Sequence, residues 1–109
     1  MARTRGQYGA STTDHLQMLG RQLSAERRLR RWTQSDLAER AGISKPTLIA
    51  VEKGIPTVAI GTVFEVARIL GVPVVGIAGD AISRELIENR LALLPQRVRA
   101  TKSDNDDDF

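Results

Sequence analysis

The chain has 109 residues, which suffices for one small domain and not for two of ordinary size. It contains no cysteine and a single histidine, His15, which excludes disulfide frameworks, thiolate metal sites, cysteine nucleophiles and multi-histidine metal sites. No stretch approaches the roughly 18 apolar residues that indicate a membrane span, so we expect a cytoplasmic protein.

The formal net charge of +3 is unevenly distributed along the chain. Residues 1–100 hold 15 basic and 9 acidic residues, a net charge of +6, whereas residues 101–109 hold one lysine and four aspartates. Residues 21–31, RQLSAERRLRR, carry five arginines against one glutamate. A basic body favours a polyanion such as nucleic acid as its partner. The alternative is an ordinary solvated, arginine-rich helix surface.

The N-terminal part of the chain predicts an arm followed by a helix. Residues 1–12 are polar and lack periodicity, which indicates a disordered basic arm. A helix is expected to start near Thr13, because leucines at helical spacing follow it. These leucines are Leu16, Leu19 and Leu23. Gly20 lies inside this helix, where it costs about 1 kcal/mol relative to alanine but allows close packing.

Capping residues predict two short helices in the middle of the chain. Thr33 is a favourable N-cap, and Asp36, three residues later, completes a capping box for a helix over 34–41. A second N-cap, Ser44, begins another helix, and Gly54 is a fitting residue to end it. Both helices are therefore delimited by local chemistry.

The second half of the chain predicts a fourth helix near 60–70, and the fold class is all-α. Residues Val63, Ala67 and Leu70 are expected to face inward. Residues 73–78 predict one short apolar turn or helix. We assign residues 13–78 to a single domain.

A fifth, amphipathic helix is predicted over about 80–93. It presents Ile82, Leu86 and Leu93 at helical spacing. The QRVR segment that follows Pro95 is an edge strand or an extended arm. Residues 79–100 thus form a C-terminal helix and extension, a candidate dimer or partner contact, and residues 101–109 form a disordered acidic tail.

The informative segment is the helix pair over 34–51, QSDLAERAGISKPTLIAV. Counted from its first residue, Ala38 is at the fifth position, where two crossing helices need a small side chain. Gly42 is at the ninth, where the turn needs a positive φ. Leu48 and Val51, at the fifteenth and eighteenth, point into the core. This combination predicts a helix-turn-helix; the alternative is a helical hairpin with no role in DNA binding.

The stretch LGRQLSAERRLRRWTQSDLAERAGISKPTLIAVEKG resembles the lambda-repressor-like, or Xre-type, DNA-binding domain. The similarity continues to ILGV and covers roughly residues 16–72. It implies a five-helix domain that binds operator DNA as a dimer, with an extra C-terminal helix and disordered termini in this chain.

The resemblance implies DNA-binding roles for seven residues: Gln34, Ser44, Lys45, Pro46, Thr47, Ala50 and Lys53. Arg31 is added as a candidate phosphate contact because of its charge. Gln34 would bond a phosphate and brace the recognition helix, which Ser44 caps. Lys45 can donate to guanine O6 and N7, and Pro46 or Ala50 can touch a thymine methyl. Many relatives carry Gln or Asn at the positions of Lys45 and Pro46, so their adenine contacts are not implied here.

Other residues near the motif are expected to have structural roles. In similar proteins the positions of Arg27 and Glu52 form a semi-buried ion pair, and we assign these residues to structure. Trp32 precedes the cap Thr33 and can staple the second helix onto the core. The neighbouring Arg28 and Arg30, like Arg31, are expected to be solvated or phosphate-facing.

A narrower resemblance involves VEKGIPTVAIGTVFEVARILGV, ALLPQRVR and the terminal DDDF. These segments are similar to the HipB-like antitoxins of HipBA-type modules. That resemblance implies a homodimer that represses its own operon and binds a HipA-type kinase toxin. Asp106, Asp107, Asp108 and Phe109 would then dock on a basic partner surface. The alternative for this segment is a solubilising terminus.

No nucleophile–base pair or phosphate-binding glycine loop is evident, so we expect neither an enzyme nor a cofactor or metal. The leading function is a DNA-binding repressor and antitoxin. One alternative is a free-standing Xre-type regulator, such as a phage-type repressor or a restriction-modification controller, and another is a protein–protein adaptor. A dimer would place its recognition helices about 34 Å apart on a palindromic operator.

Overall fold

The computed structural model describes residues 8–74 and 81–98. This part of the chain contains five helices: α1 (Ala10–Leu29), α2 (Gln34–Ala41), α3 (Lys45–Lys53), α4 (Ile60–Leu70) and α5 (Ala81–Leu93). Since the described residues include no strand, the predicted all-α class is confirmed. The chain divides into two compact units, Met1–Val74 with α1 to α4 and Val75–Phe109 with α5.

Helix α1 begins earlier than the sequence predicts. Its first residue is Ala10, three residues before the expected start near Thr13, and its N-cap, Gly9, makes no side-chain hydrogen bond. Because Gly9 makes no capping bond through a side chain, the sequence contains no capping residue that would predict this start. Residues 10–12 of the predicted arm are therefore helical, and residues 1–7 lie outside the described ranges.

Side-chain caps fix the start of α2 and α3. The Asp36 backbone N–H donates to Thr33 Oγ1 over 3.0 Å, while the Thr33 N–H donates to Asp36 Oδ2 over 2.8 Å. Hydrogen bonds from Thr33 to the carboxylate lower the pKa of Asp36, and the bond from the Thr33 backbone N–H has the largest effect. Ser44 Oγ accepts from the Thr47 N–H over 3.2 Å. The predicted capping pattern is present at both helices.

The core of the first unit is aliphatic and small. Its buried apolar residues are Leu23, Leu37, Ala38, Leu48, Val51, Val66, Ala67, Leu70 and Val72. Trp32 is half-buried and packs against this cluster. Of the residues of α4 expected to face inward, Ala67 and Leu70 are buried and Val63 is half-buried and packs against the core. Val66 is buried beside them, which the sequence pattern does not predict.

Helix α1 crosses the C-terminal end of α3 at backbone contact distance. A Cβ atom on Gly20 would overlap the Glu52 carbonyl oxygen and lie 2.8 Å from the Val51 carbonyl oxygen. A Cβ atom on Gly54 would lie 2.7 Å from the Leu16 carbonyl oxygen, and Gly54 has a φ of 74°. Only glycine fits at either position, so these two residues set how closely α3 is held.

Helix α5 buries none of its residues. At about 100° per residue, its apolar side chains cover roughly half of the helix circumference. The large apolar residues of the helix are Ile82, Leu86, Ile87, Leu91 and Leu93, and the exposed Leu94 follows directly after it. The described part of the predicted QRVR extension, up to Val98, contains no strand, and residues 75–80 and 99–109 lie outside the described ranges.

Candidate nucleic-acid interface

Helices α2 and α3 form a hairpin through a glycine turn. Ala38 is buried where the helices pack, and Gly42, after α2, adopts a left-handed conformation with a φ of 69°. Leu48 and Val51 are buried on one side of α3. The residues of the sequence pattern therefore occupy the positions that a helix-turn-helix requires.

The other side of α3 is open. Lys45 and Pro46 are exposed, and Thr47 and Ala50 are half-buried. The Ser44 and Thr47 hydroxyl oxygens lie 2.8 Å apart, so one hydrogen bond of Thr47 is already made within the helix cap. The residues expected to meet a base edge thus share one accessible face, while their contact with DNA stays a prediction.

A shallow cavity of about 420 Å³ extends this face onto the loop that follows α3. Pro46, Thr47 and Ala50 line one side of it, and the other side includes Ile55 and Thr57. Sequence reasoning missed these two loop residues, because nothing local indicates that the chain turns back beside α3. The mixture of methyl groups and hydroxyls suits both a thymine methyl and a polar base edge.

A buried polar network ties α3 to the rest of the unit. Arg27 Nε and Nη2 donate to the Glu52 carboxylate over 2.7 and 3.2 Å, and Arg27 Nη1 donates to the Trp32 carbonyl over 2.8 Å. The two charged side chains are 9% and 7% exposed. Gln34 Nε2 donates to Glu52 Oε1 over 3.0 Å. Gln34 is therefore linked to the end of α3 through Glu52, and its phosphate contact stays a prediction.

Arg30 makes contacts within the fold that the sequence does not predict. Its Nη2 donates over 2.7 Å to the carbonyl of Leu70, the last residue of α4, and its Nη1 donates to Glu26. Arg30 is exposed, as expected, and it also connects the ends of α1 and α4. No local pattern predicts this contact, because the two partners are 40 positions apart.

Two arginines lie close to the ring of Trp32. The Arg40 guanidinium carbon lies 4.0 Å from the ring centroid, and that of Arg30 lies 5.8 Å away. Both distances are within the range of a cation–π contact. The expected packing role of Trp32 therefore includes contacts with basic side chains as well as with the core.

Five basic side chains within residues 8–74 have neither an ion pair nor an aromatic contact. They are Arg21, Arg28, Arg31, Lys45 and Lys53. All five are exposed. Arg31 adopts a φ of 59° in the turn before α2, a conformation uncommon outside glycine. Three of these residues, Arg31, Lys45 and Lys53, are among the predicted DNA contacts, and their charges are free to meet an anion.

The described residues contain no cluster of possible metal ligands. No group of three or more His, Cys, Asp or Glu side chains within 8–74 and 81–98 is placed to hold a metal ion. Within those same ranges, no helix combines the length and the apolarity that crossing a membrane requires.

The predicted partner contacts Asp106, Asp107, Asp108 and Phe109 lie outside the described part of the chain.

Comparison with known proteins agrees with this geometry. A family model described as a helix-turn-helix matches residues 23–77, about half of the chain. An uncharacterized HTH-type transcriptional regulator of Methanocaldococcus jannaschii is 40% identical over 48 residues, which cover 44% of this chain and 73% of that protein. The family match covers α2, α3 and α4 in full.

Proposed function

The chain belongs to the helix-turn-helix family, and we propose that this DNA-binding regulator acts as a dimeric, sequence-specific repressor that reads its operator with α3. The proposal rests on one observation, namely that one side of α3 is buried and the other is exposed. Leu48 and Val51 are buried, whereas Lys45 and Pro46 are exposed. A short helix with one anchored side and one accessible basic side is suited to the major groove.

Specificity would come from the exposed face of α3 and the loop after it. Lys45 can donate to guanine O6 and N7, and the apolar atoms of Pro46, Ala50 and Ile55 can receive a thymine methyl. Lys53 and Arg31, which have no ion pair within residues 8–74, would bind phosphates. Base contacts and phosphate contacts are then made by different side chains.

The buried network supports this function by holding α3 in place before DNA arrives. Glu52, one residue before the end of α3, accepts hydrogen bonds from both Arg27 and Gln34. A recognition helix fixed in this way loses little conformational freedom on binding. Arg27 and Glu52 therefore act as positioning residues and not as DNA contacts.

We propose α5 as the dimer contact. A helix of 13 residues is marginally stable by itself in water, and its apolar half is exposed. Pairing with α5 of a second copy would cover that half. A dimer also doubles the number of bases read, which one nine-residue helix limits severely.

We further propose that this repressor is an antitoxin, because residues 51–72 and the C-terminal segments resemble HipB-like antitoxins. Under this proposal a HipA-type kinase toxin is the partner, and the repressor controls the operon of both. The alternative is a free-standing regulator without a toxin. Co-purification from the native host separates the two, since a stoichiometric kinase supports the antitoxin and its absence supports the alternative.

Selection from random double-stranded DNA followed by binding titrations tests the repressor. We expect an enriched palindromic sequence whose affinity falls by orders of magnitude between about 50 and 200 mM salt. Repression of a reporter gene carrying the selected sequence then tests the regulatory role. Recovery of no sequence, together with salt-independent binding, would contradict the proposal and favour a protein–protein adaptor.

A further inference from the structure

We propose that the exposed side of α1 makes a further contact with the DNA backbone, at which Arg21 and Lys53 bind one phosphate and Arg28 binds another. The proposal deepens the proposed function and rests on it, since α3 would read bases while the basic strip of Arg21, Arg28 and Lys53 holds the sugar–phosphate backbone. The resemblance to the Xre-type domain implies no DNA contact for Arg21.

Arg21 and Lys53 line one concave surface, with a volume of about 320 Å³, between α1 and the end of α3. Gln17 and Glu52 complete its lining. Both basic side chains are exposed, and neither has an ion pair within residues 8–74 and 81–98. Two positive charges at one opening repel each other, and an anion placed between them would remove that repulsion. The surface therefore has the charge and the opening that a phosphate group needs.

The carboxylate in this surface is already neutralised from inside the fold. Glu52 Oε2 accepts from Arg27 Nε over 2.7 Å, and Glu52 Oε1 accepts from Arg27 Nη2 over 3.2 Å and from Gln34 Nε2 over 3.0 Å. The Glu52 side chain is only 7% exposed. The charge that an approaching anion meets is therefore that of Arg21 and Lys53. Gln34, another predicted phosphate contact, is bonded to the same carboxylate, so three side chains that can donate to phosphates are grouped at one edge of the domain.

The basic strip continues along α1 to Arg28. Arg21 also lines a neighbouring cavity of about 350 Å³, together with Ser24, Ala25 and Arg28. Residues seven positions apart lie on the same face of a helix, about 10 Å apart along its axis. The two residues between the arginines in this cavity have small side chains, which leave both guanidinium groups accessible. Since phosphates of one DNA strand recur about every 3.4 Å along the duplex axis, a strip of this length can contact more than one.

Their lack of a partner distinguishes Arg21 and Arg28 from the arginines next to them. Arg27 is buried in its ion pair, and Arg30 is paired with Glu26. Arg21 and Arg28, in contrast, are exposed and have neither an ion pair nor an aromatic contact within the two described ranges. Their charges are therefore available to a polyanion.

The salt dependence of DNA binding tests the basic strip in the full chain. Arg21→Gln and Arg28→Gln are each titrated with the selected operator and with a random duplex of equal length, at several salt concentrations. Each substitution should reduce the slope of log affinity against log salt concentration by about 0.9 for every copy bound, or about 1.8 for the proposed dimer. The reduction should be equal on the two DNAs, because phosphates carry no sequence information. As a second readout, the Arg21 Nε–H signal in nitrogen-15 NMR should shift when the random duplex is added to the natural chain.

Arg68→Gln is the matched control, since Arg68 is exposed and lies in the same unit but is already paired with Glu65. Its substitution should leave the slope unchanged, and its Nε–H signal should not move. A slope unchanged by Arg21→Gln or by Arg28→Gln, or an Arg21 signal that the duplex does not shift, overturns the proposal even if the operator is bound with sequence specificity. If instead no sequence is enriched while the slopes and the Arg21 signal change as expected, sequence-specific repression fails and the backbone contact stands.

Discussion

Arg27, near the end of α1, and Glu52, near the end of α3, are joined by two hydrogen bonds, the shorter of which is 2.7 Å. Both side chains are more than nine-tenths buried, and Glu52 also accepts a bond from Gln34. Removing one partner would leave a buried charge without its counter-charge. The pair therefore makes the stability of the domain dependent on both residues together.

We expect Arg27→Met to destabilise the domain by about 3 to 5 kcal/mol, since Glu52 is then buried without its ionic partner. The free energy of unfolding, measured in urea, gives the loss. The double variant Arg27→Met with Glu52→Leu should recover most of it, because neither charge remains. A double variant as unstable as the single one would show that packing, and not charge, dominates at this position.

We expect Gly20→Ala to destabilise the domain by about 1 to 3 kcal/mol, because its Cβ atom would overlap the Glu52 carbonyl oxygen. Gly61→Ala in α4 is the matched control, as a Cβ atom there meets nothing within 4 Å. That control should stabilise the helix by up to about 1 kcal/mol. Thermal unfolding compares the two, and equal effects would contradict the close crossing of α1 and α3.

We expect Lys45→Ala to weaken binding to the selected operator by about 1 to 3 kcal/mol more than binding to random DNA. The reason is that Lys45 lies on the exposed side of α3 and can reach a guanine edge. Titrations at fixed salt measure both affinities, with Arg84→Ala as a control for the loss of one positive charge. An equal loss on both DNAs would make Lys45 a phosphate contact.

The capping box predicts that stability depends on pH through Asp36. Hydrogen bonds from Thr33 lower the pKa of Asp36 in the folded chain below its unfolded value. The stabilisation is therefore complete above the unfolded pKa and is lost as the pH falls through the folded one, below about pH 4. Melting temperatures across about pH 2 to 6, taken in about half-unit steps, should fall less steeply for Asp36→Asn than for the natural chain. Identical slopes would exclude this contribution.

We expect Leu86→Glu to convert the proposed dimer into a monomer, because it introduces a charge into the exposed apolar half of α5. Light scattering at micromolar concentration reports the molar mass. Ile60→Glu on α4 is the control, since Ile60 is also exposed, at 73%, but lies in the other unit. A Leu86→Glu chain with the same mass as the natural chain would move the dimer contact elsewhere.

The sequence was most informative where structure depends on neighbouring residues. Thr33, Asp36 and Gly42 delimit α2 at the predicted positions, because caps act within one helical turn. The start of α1 at Ala10 was missed, since Gly9 caps it without a side-chain bond. The role of Arg30 was missed because its partner, the Leu70 carbonyl, is close only after the chain folds.

The sequence also predicts only part of the candidate interface. It predicts an accessible position for Lys45 and Pro46, because they come directly after the cap of α3, and both are exposed. Ile55 and Thr57 face the same cavity only because the chain turns back after Gly54. A pattern of residue types along one helix does not predict which loop will complete its surface. The sequence therefore identifies the helix more completely than the cavity beside it.

The fluorescence of Trp32 reports on the structure of the first unit. It is the only tryptophan of the chain and lies in the first unit, with the Arg40 guanidinium 4.0 Å from its ring. Its emission will follow loss of structure around α1 and α2, whereas circular dichroism also follows α5. Denaturation curves recorded by the two methods will separate if the two units unfold independently, and they will coincide if unfolding is a single cooperative event.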